Sequence, residues 1–257
     1  MKTELALMIR RTLVPYLSVV VVAGVLGTLD VILGDGIVAA LYSIYLMVAW
    51  IAIAALAGVD LFGYLYRSSD SLLLVAPWST TQITAMKAGV HGAWMLIVFV
   101  VTFALALPGY DEPSGGVSRA AAALLTVTAR ALGIAAFFVL VAALVRAVKP
   151  LRSVTLAAAA VISGVTAVVV GGTALLLMVL GVDGRTWYWA LGTGSEITVS
   201  AQYVSILPVL IGRWDDPSPS LLVMPASLGL NVAILAGGAT AWALLTRFVP
   251  ANFVRVA

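Results

Sequence analysis

The sequence predicts an all-α integral membrane protein. It is a single transmembrane domain over residues 1–257, with six transmembrane helices and both termini inside (N-in/C-in). A short helix is expected on the cytoplasmic face between spans two and three, and a re-entrant outer element between spans five and six. Three observations predict this. Charged residues make up 10% of the chain, against roughly 25% in a soluble domain. Hydrophobic residues make up 63% of the 257 positions, and the mean hydropathy is +1.13; a soluble globule of this size lacks the interior to hide that much apolar surface. The apolar residues also fall into long runs rather than scattered positions. The composition excludes a soluble enzyme, a disordered tail and a nucleic-acid binder. With no cysteine in the chain, disulfides, thiolate metal sites and cysteine nucleophiles are excluded as well.

A helix crosses the hydrocarbon core with about 20 apolar residues, and in lipid every backbone N–H and C=O must find a partner inside the segment, which selects helices. The first span reads Leu13 to Leu29, extendable past Asp30 to Gly34. The second is Gly36 to Val59, the third Ala88 to Leu107 with one histidine, and the fourth Ala120 to Val145, interrupted by Arg130. The fifth, Val154 to Val182, and the sixth, Pro219 to Thr246, carry no charge. Ile197 to Gly212 is uncharged but only 16 residues long and contains Gln202 and Pro208, so the outer region 183–218 reads as re-entrant. Ahead of the first span, residues 1–12 place Leu5, Met8, Ile9 and Thr12 on one helical stripe, with Lys2, Glu4, Arg10 and Arg11 off it. That pattern suits an interfacial amphipathic helix. Basic residues followed by an apolar run also resemble a signal peptide; we expect a retained anchor.

Lys and Arg in short loops set orientation. With the N-terminus inside, Lys2, Arg10, Arg11, Arg67, Lys87, Arg146, Lys149, Arg152, Arg247 and Arg255 lie on the inner side, against Arg119, Arg185 and Arg213 outside. A seventh crossing would move Arg247 and Arg255 outward, against that rule.

The groups that catalysis needs are sparse. His91 is the one histidine, and the Gly192–Ser195 run belongs to the opposite side, so no Ser–His pair is expected. The acids are scattered, which leaves no zinc site. None of Lys2, Lys87 and Lys149 follows a glycine, so there is no P-loop. No catalytic residue and no metal ligand is expected, and an intramembrane enzyme is disfavoured. Acids at span ends also weigh against an ion-driven pump, which relies on buried ionisable relays, and no internal repeat supports an inverted-repeat secondary transporter.

The loop 66–82 is the most informative stretch. Ser68 or Ser69 can cap a helix, and Asp70 suits its positive N-terminal end. Leu72, Leu73, Leu74 and Val75 supply an apolar turn, and Pro77 stops it because Ala76, preceding a proline, resists helical geometry. Ser79 and Gln82 have capping-box spacing and start the next helix. A solvated turn would not expose four consecutive apolar residues without a partner surface. A short helix across the cytoplasmic face, tied to two spans, is suited to dock into a groove on a cytosolic partner.

The pattern Asp70, Leu72-Leu73-Leu74, Ala76-Pro77, Ser79-Thr80-Thr81, Ile83 and Lys87 resembles the coupling-helix region of type-2 ATP-binding-cassette (ABC) exporter permeases. The resemblance extends to the topology of nearly the whole chain: an amphipathic N-terminal helix, six spans, a coupling helix between spans two and three, and outer re-entrant helices, here falling at Trp187 to Ile211. It implies a permease subunit that moves cargo outward across the cell membrane. The partner would be a separate cytosolic ATP-binding-cassette ATPase carrying ATP and Mg, with no cofactor in this chain. A second permease copy or paralogue would complete the path. It implies that Ser69, Asp70, Leu72, Leu73, Leu74, Ala76 and Pro77 contact the ATPase. The polysaccharide-exporting branch carries a longer Arg/Lys-rich N-terminal motif than Arg10-Arg11, so an amphipathic cargo (drug, peptide antibiotic or lipid) is expected rather than a glycan. A non-transporting scaffold subunit and an ion-coupled secondary transporter are the rival readings.

Arg130 lies roughly 16 Å along the fourth span from Arg119, where it either snorkels, joins a structural pair or meets cargo. Trp187, Tyr188 and Trp189 form an interfacial belt or an outer gate. His91 reads as a hydrogen-bonded packing residue, Asp60 as a partner for Lys87 or Arg67, and Asn231 as a bond to a neighbouring helix. Gly164, Gly171, Gly172, Gly237 and Gly238 are positions where helices can approach closely.

Overall fold

A computed structural model describes residues 2–34, 36–67, 79–106, 119–151, 153–179 and 217–248. Each described element is an α-helix: α1 (Lys2–Leu33), α2 (Gly36–Arg67), α3 (Thr80–Ala106), α4 (Arg119–Val148), α5 (Val154–Val179) and α6 (Pro217–Phe248). Among the described residues, five apolar segments are long enough to cross a bilayer, at Leu5–Leu33, Gly36–Tyr66, Thr80–Leu105, Val127–Val148 and Leu228–Arg247, and α5 contributes the apolar stretch Val154–Val168. The chain is a multi-pass membrane protein. Large aliphatic side chains stay exposed on the outer faces of the bundle, among them Val14, Ile37, Ile51, Val59 and Ile162, as a surface facing lipid requires.

The ends of the helices follow local rules. α1 closes on Gly34, whose φ of +58° is a left-handed conformation that glycine adopts without a Cβ penalty, and whose N–H reaches the Asp30 carbonyl at 2.9 Å. α3 opens with the capping box read from the sequence: the Ser79 N–H donates to Gln82 Oε1 at 3.0 Å, and the Gln82 N–H donates to Ser79 Oγ at 3.2 Å. Ser153 Oγ caps α5 by accepting from the Leu156 N–H at 3.3 Å. Residues 2–12 continue into the first span as one helix, through Pro15, without a break.

Side-chain contacts fix the directions of the helices. Tyr16 meets His91 and Gly27 meets Leu105, so α1 and α3 run parallel. Tyr45 reaches Val19 and Tyr42 packs on Gly27, so α2 runs antiparallel to α1. Arg130 stacks on Trp50, and the Tyr66 hydroxyl donates to the Leu151 carbonyl, which sets α4 parallel to α2. Gly164 lies on Leu144, and Gly172 on Leu230 of α6, so α5 returns. Asn231, Gly238 and Trp242 of α6 meet Ala129, Val139 and Arg146 in turn, so α6 runs with α4. The six helices therefore alternate in direction. The start of α1 and the end of α6 share one end of the bundle with Arg67, Lys87, Arg146 and Lys149.

α4 is central and packs against α2, α3, α5 and α6, while α1 leans on α2 and α3. The core joins Trp50, Ile53 and Leu61 of α2 to Met95, Val98 and Phe99 of α3 and to Phe137, Phe138, Val141 and Val145 of α4. Glycines set the closest approaches. A Cβ on Gly238 would lie 3.0 Å from Val139 Cγ1, and one on Gly164 would lie 3.1 Å from the Leu144 methyls.

Candidate functional site

Three ionisable side chains and a tyrosine from three helices converge inside the basic end of the bundle. Asp60 lies two turns before the end of α2, and Lys87 and His91 lie one turn apart on α3. The i, i+4 spacing puts Lys87 and His91 on one face, and that face is turned toward Asp60. Lys87 Nζ donates to Asp60 Oδ1 at 3.0 Å and to Oδ2 at 2.9 Å. His91 Nε2 lies 3.2 Å from Asp60 Oδ2, and His91 Nδ1 lies 2.9 Å from the Tyr16 hydroxyl. A carboxylate only accepts hydrogen bonds. Nε2 therefore carries the ring proton, and in a neutral imidazole Nδ1 accepts from Tyr16. The chain Tyr16→His91→Asp60←Lys87 ties α1, α2 and α3 together.

Burial governs the energetics of this cluster. The Lys87 and His91 side chains are 5% and 4% exposed, whereas Asp60 keeps 40% of its surface open. The apolar surroundings are aromatic: the Tyr64 ring lies 5.7 Å from Lys87 Nζ, Trp94 stacks on Tyr16, and Phe138 of α4 stacks on His91. A buried ammonium needs a paired charge to offset its lost solvation, and Asp60 supplies it. Asp60 is thus the point where the cluster meets its surroundings, and Tyr16 is its fully buried inner end.

A second feature lies deeper. Arg130 is 1% exposed, with its guanidinium 4.6 Å from the Phe99 ring centroid and 5.2 Å from that of Trp50. Of the roles open to Arg130 in the sequence, its burial excludes snorkelling. The rotation of α4 turns the side chain into the α2–α3–α4 core, where two aromatic faces favour a cation. One residue earlier, the Ala129 carbonyl accepts from Asn231 Nδ2 at 3.2 Å.

Of the two partners expected for Asp60, Lys87 meets it, the Arg67 side chain lies outside what is described, and His91 is the hydrogen-bonded packing residue read from the sequence. The link to Tyr16 was missed, and no sequence signal joins positions 75 residues apart. Ser69, Asp70, Leu72, Leu73, Leu74, Ala76 and Pro77 lie outside the described residues, as do Trp187, Tyr188 and Trp189. Among the described residues, no group of histidine and acidic side chains is placed to hold a metal ion.

No protein-family model matches this chain, and comparison with curated proteins and with solved structures finds no match.

Proposed function

We propose that this chain is the membrane-spanning permease subunit of an ABC exporter, with six spans and both termini on the cytoplasmic side of the cell membrane. A separate ATPase docks under Asp70 to Pro77, and a second permease copy or paralogue completes the path. ATP binding closes the ATPase pair, pushes the docked segment and switches the spans from inward- to outward-opening. The cargo is amphipathic, since the spans offer few fixed charges to recognise an ionic solute. One observation carries the reading: α2 ends and α3 begins at the end of the bundle that collects Arg10, Arg11, Arg67, Arg146, Lys149 and Arg247. The leucine-rich segment thus joins its two helices on the side that the distribution of Lys and Arg marks as cytoplasmic. The reciprocal Ser79–Gln82 cap supports it by starting α3 immediately after that segment. Leu73→Asp tests the reading. Co-purification with the ATPase and transport are both expected to be lost, and retention of both would overturn the docking assignment.

A second reading is favoured by the Tyr16–His91–Asp60–Lys87 cluster, because buried ionisable groups in membrane helices mark proton and ion paths. In that reading the chain is an ion-coupled secondary transporter with Asp60 as the carboxylate that meets the coupling ion. In vesicles loaded with a pH dye, cargo movement without ATP that acidifies the lumen, and that Asp60→Asn abolishes, would favour this reading over the first.

A further inference from the structure

Four side chains are linked in a row across the basic end of the bundle, and the row crosses three helices in the order α2, α3, α1. Asp60 stands two turns before the end of α2 and Lys87 two turns after the start of α3, so their pair ties the α2–α3 hairpin close to its connecting segment. Lys87 Nζ donates to both Asp60 oxygens, at 3.0 Å and 2.9 Å. His91, one turn further along α3, has Nε2 3.2 Å from Asp60 Oδ2, and its Nδ1 accepts from the Tyr16 hydroxyl of α1 at 2.9 Å. Contacts elsewhere along α1 are looser. Gly27 packs against Leu105 and Tyr42, and the Tyr45 hydroxyl reaches the Val19 carbonyl at 3.4 Å. α4 meets His91 through the Phe138 ring, with centroids 6.4 Å apart. Apolar and stacked surfaces in a bilayer can slide, because lipid solvates them about as well as protein does. The Tyr16–His91 bond cannot. Both partners are buried, and parting them strands a donor and an acceptor away from water.

We propose that Tyr16 and His91 form the joint through which movement of the α2–α3 hairpin reaches α1. The inference rests on the docking of an ATPase under Asp70 to Pro77 and adds the route by which its push leaves the hairpin. The Asp60–Lys87 pair makes the two helix ends that flank the docked segment move together. His91 travels with Lys87 because the two share one face of α3. Tyr16 travels with His91 because the bond between them has a fixed length and no water to replace it. The Trp94 ring of α3, stacked on Tyr16 at 6.0 Å, keeps the tyrosine upright against α3 as it moves. α4 stays behind, since the Phe138 ring slides over His91. The push thus draws α1 and α3 together past α4. Tyr16 and His91 are positioning residues in this scheme: they act on the path through α1.

The test uses the full-length chain with its co-expressed ATPase in nanodiscs, with spin-labelled chain diluted into unlabelled chain. The sequence has no cysteine, so labels go only where they are introduced. Leu17→Cys with Leu244→Cys reports α1 against α6, and Ala85→Cys with Leu244→Cys reports α3 against α6; all three positions are exposed. Pulsed electron resonance reads each distance before and after trapping with ATP and vanadate. Both distances are expected to change by about 1–2 Å or more, the size of helix shifts in switching proteins. Tyr16→Phe keeps the ring and removes the hydroxyl. His91→Gln keeps an amide N–H for Asp60 and removes the Nδ1 acceptor. Each is expected to leave the α3 shift in place and to reduce the α1 shift to less than half, and the double variant to do no more than either, since all three lose the same bond. An α1 shift that survives in either variant, or effects of the two that add, would overturn the joint. An α1 that stays still in the unmodified chain while α3 moves would do the same. An α3 that does not move, or an ATPase that does not co-purify with the unmodified chain, would instead remove the ATPase reading itself, and the joint with it.

Discussion

Asp60→Asn removes one charge from the cluster with almost no change of shape, and its cost follows from the geometry. Lys87 Nζ lies 2.9 Å and 3.0 Å from the two carboxylate oxygens, a separation worth about 5–6 kcal/mol at an effective dielectric of about 20. Solvation of the half-open Asp60 returns part of that. The Lys87 ammonium, 5% exposed, then stays buried beside the Tyr64 ring without its counter-charge, and breaking a buried pair from one side costs about 3–5 kcal/mol. The His91 Nε2–H also loses a charged acceptor. Taking about 3 kcal/mol for the sum, unfolding in detergent should fall by about 6–12 °C, by the scaling for chains of this length. Lys87→Met in the same chain removes the stranded charge, so the double variant should recover at least about 1 kcal/mol relative to the sum of the single changes. Differential scanning of the four proteins in one detergent measures the cycle. An Asp60→Asn protein that unfolds with wild type, or effects that simply add, would refute the pair as a structural tie.

Other variants probe other contacts. Gly238→Val drives a side chain into Val139 and the Leu140 backbone, 3.0 Å and 3.4 Å from the first added carbon, and should cost about 1–3 kcal/mol by thermal unfolding. Asn231→Leu forfeits the bond to Ala129 but also removes Oδ1, which has no hydrogen-bond partner among the described residues. It should therefore change stability by less than about 1 kcal/mol, while Asn231→Asp, a buried charge, should impair folding as read by size-exclusion monodispersity. Arg130→Ala opens a cavity between Trp50 and Phe99 and should lower the unfolding temperature. Ser79→Ala with Gln82→Ala removes both halves of the α3 cap and should cost about 1 kcal/mol, seen as faster amide exchange over the first turn of α3.

The features that were legible in the sequence are local ones. Ser79 and Gln82 stand three residues apart, and their pairing needs nothing beyond the chain between them. Gly34 follows an apolar run and ends it. Asp60 and Lys87 were readable as partners because α2 and α3 must return to the same side of the bilayer. What hydropathy cannot supply is the rotation of a helix about its own axis: α4 is apolar all round, so nothing in its sequence says that Arg130 faces Trp50 and Phe99 instead of reaching for headgroups. Lengths were misjudged for a related reason. The second span reads to Val59, before a charge, yet α2 continues to Arg67 because Lys87 and His91 satisfy Asp60 inside the bundle. The Tyr16–His91 bond depends on the tertiary pairing of α1 with α3, for which a single sequence holds no local signal.

The claim on which the proposed function rests is that the segment around Leu73 faces the cytosol and is covered by an ATPase. The chain has no cysteine, so Leu73→Cys creates a unique thiol without further engineering. A membrane-impermeant maleimide should label it in inside-out vesicles and not in right-side-out ones, and co-expressed ATPase should block the labelling. Labelling from the right-side-out face, or labelling that the ATPase leaves unchanged, would contradict the account.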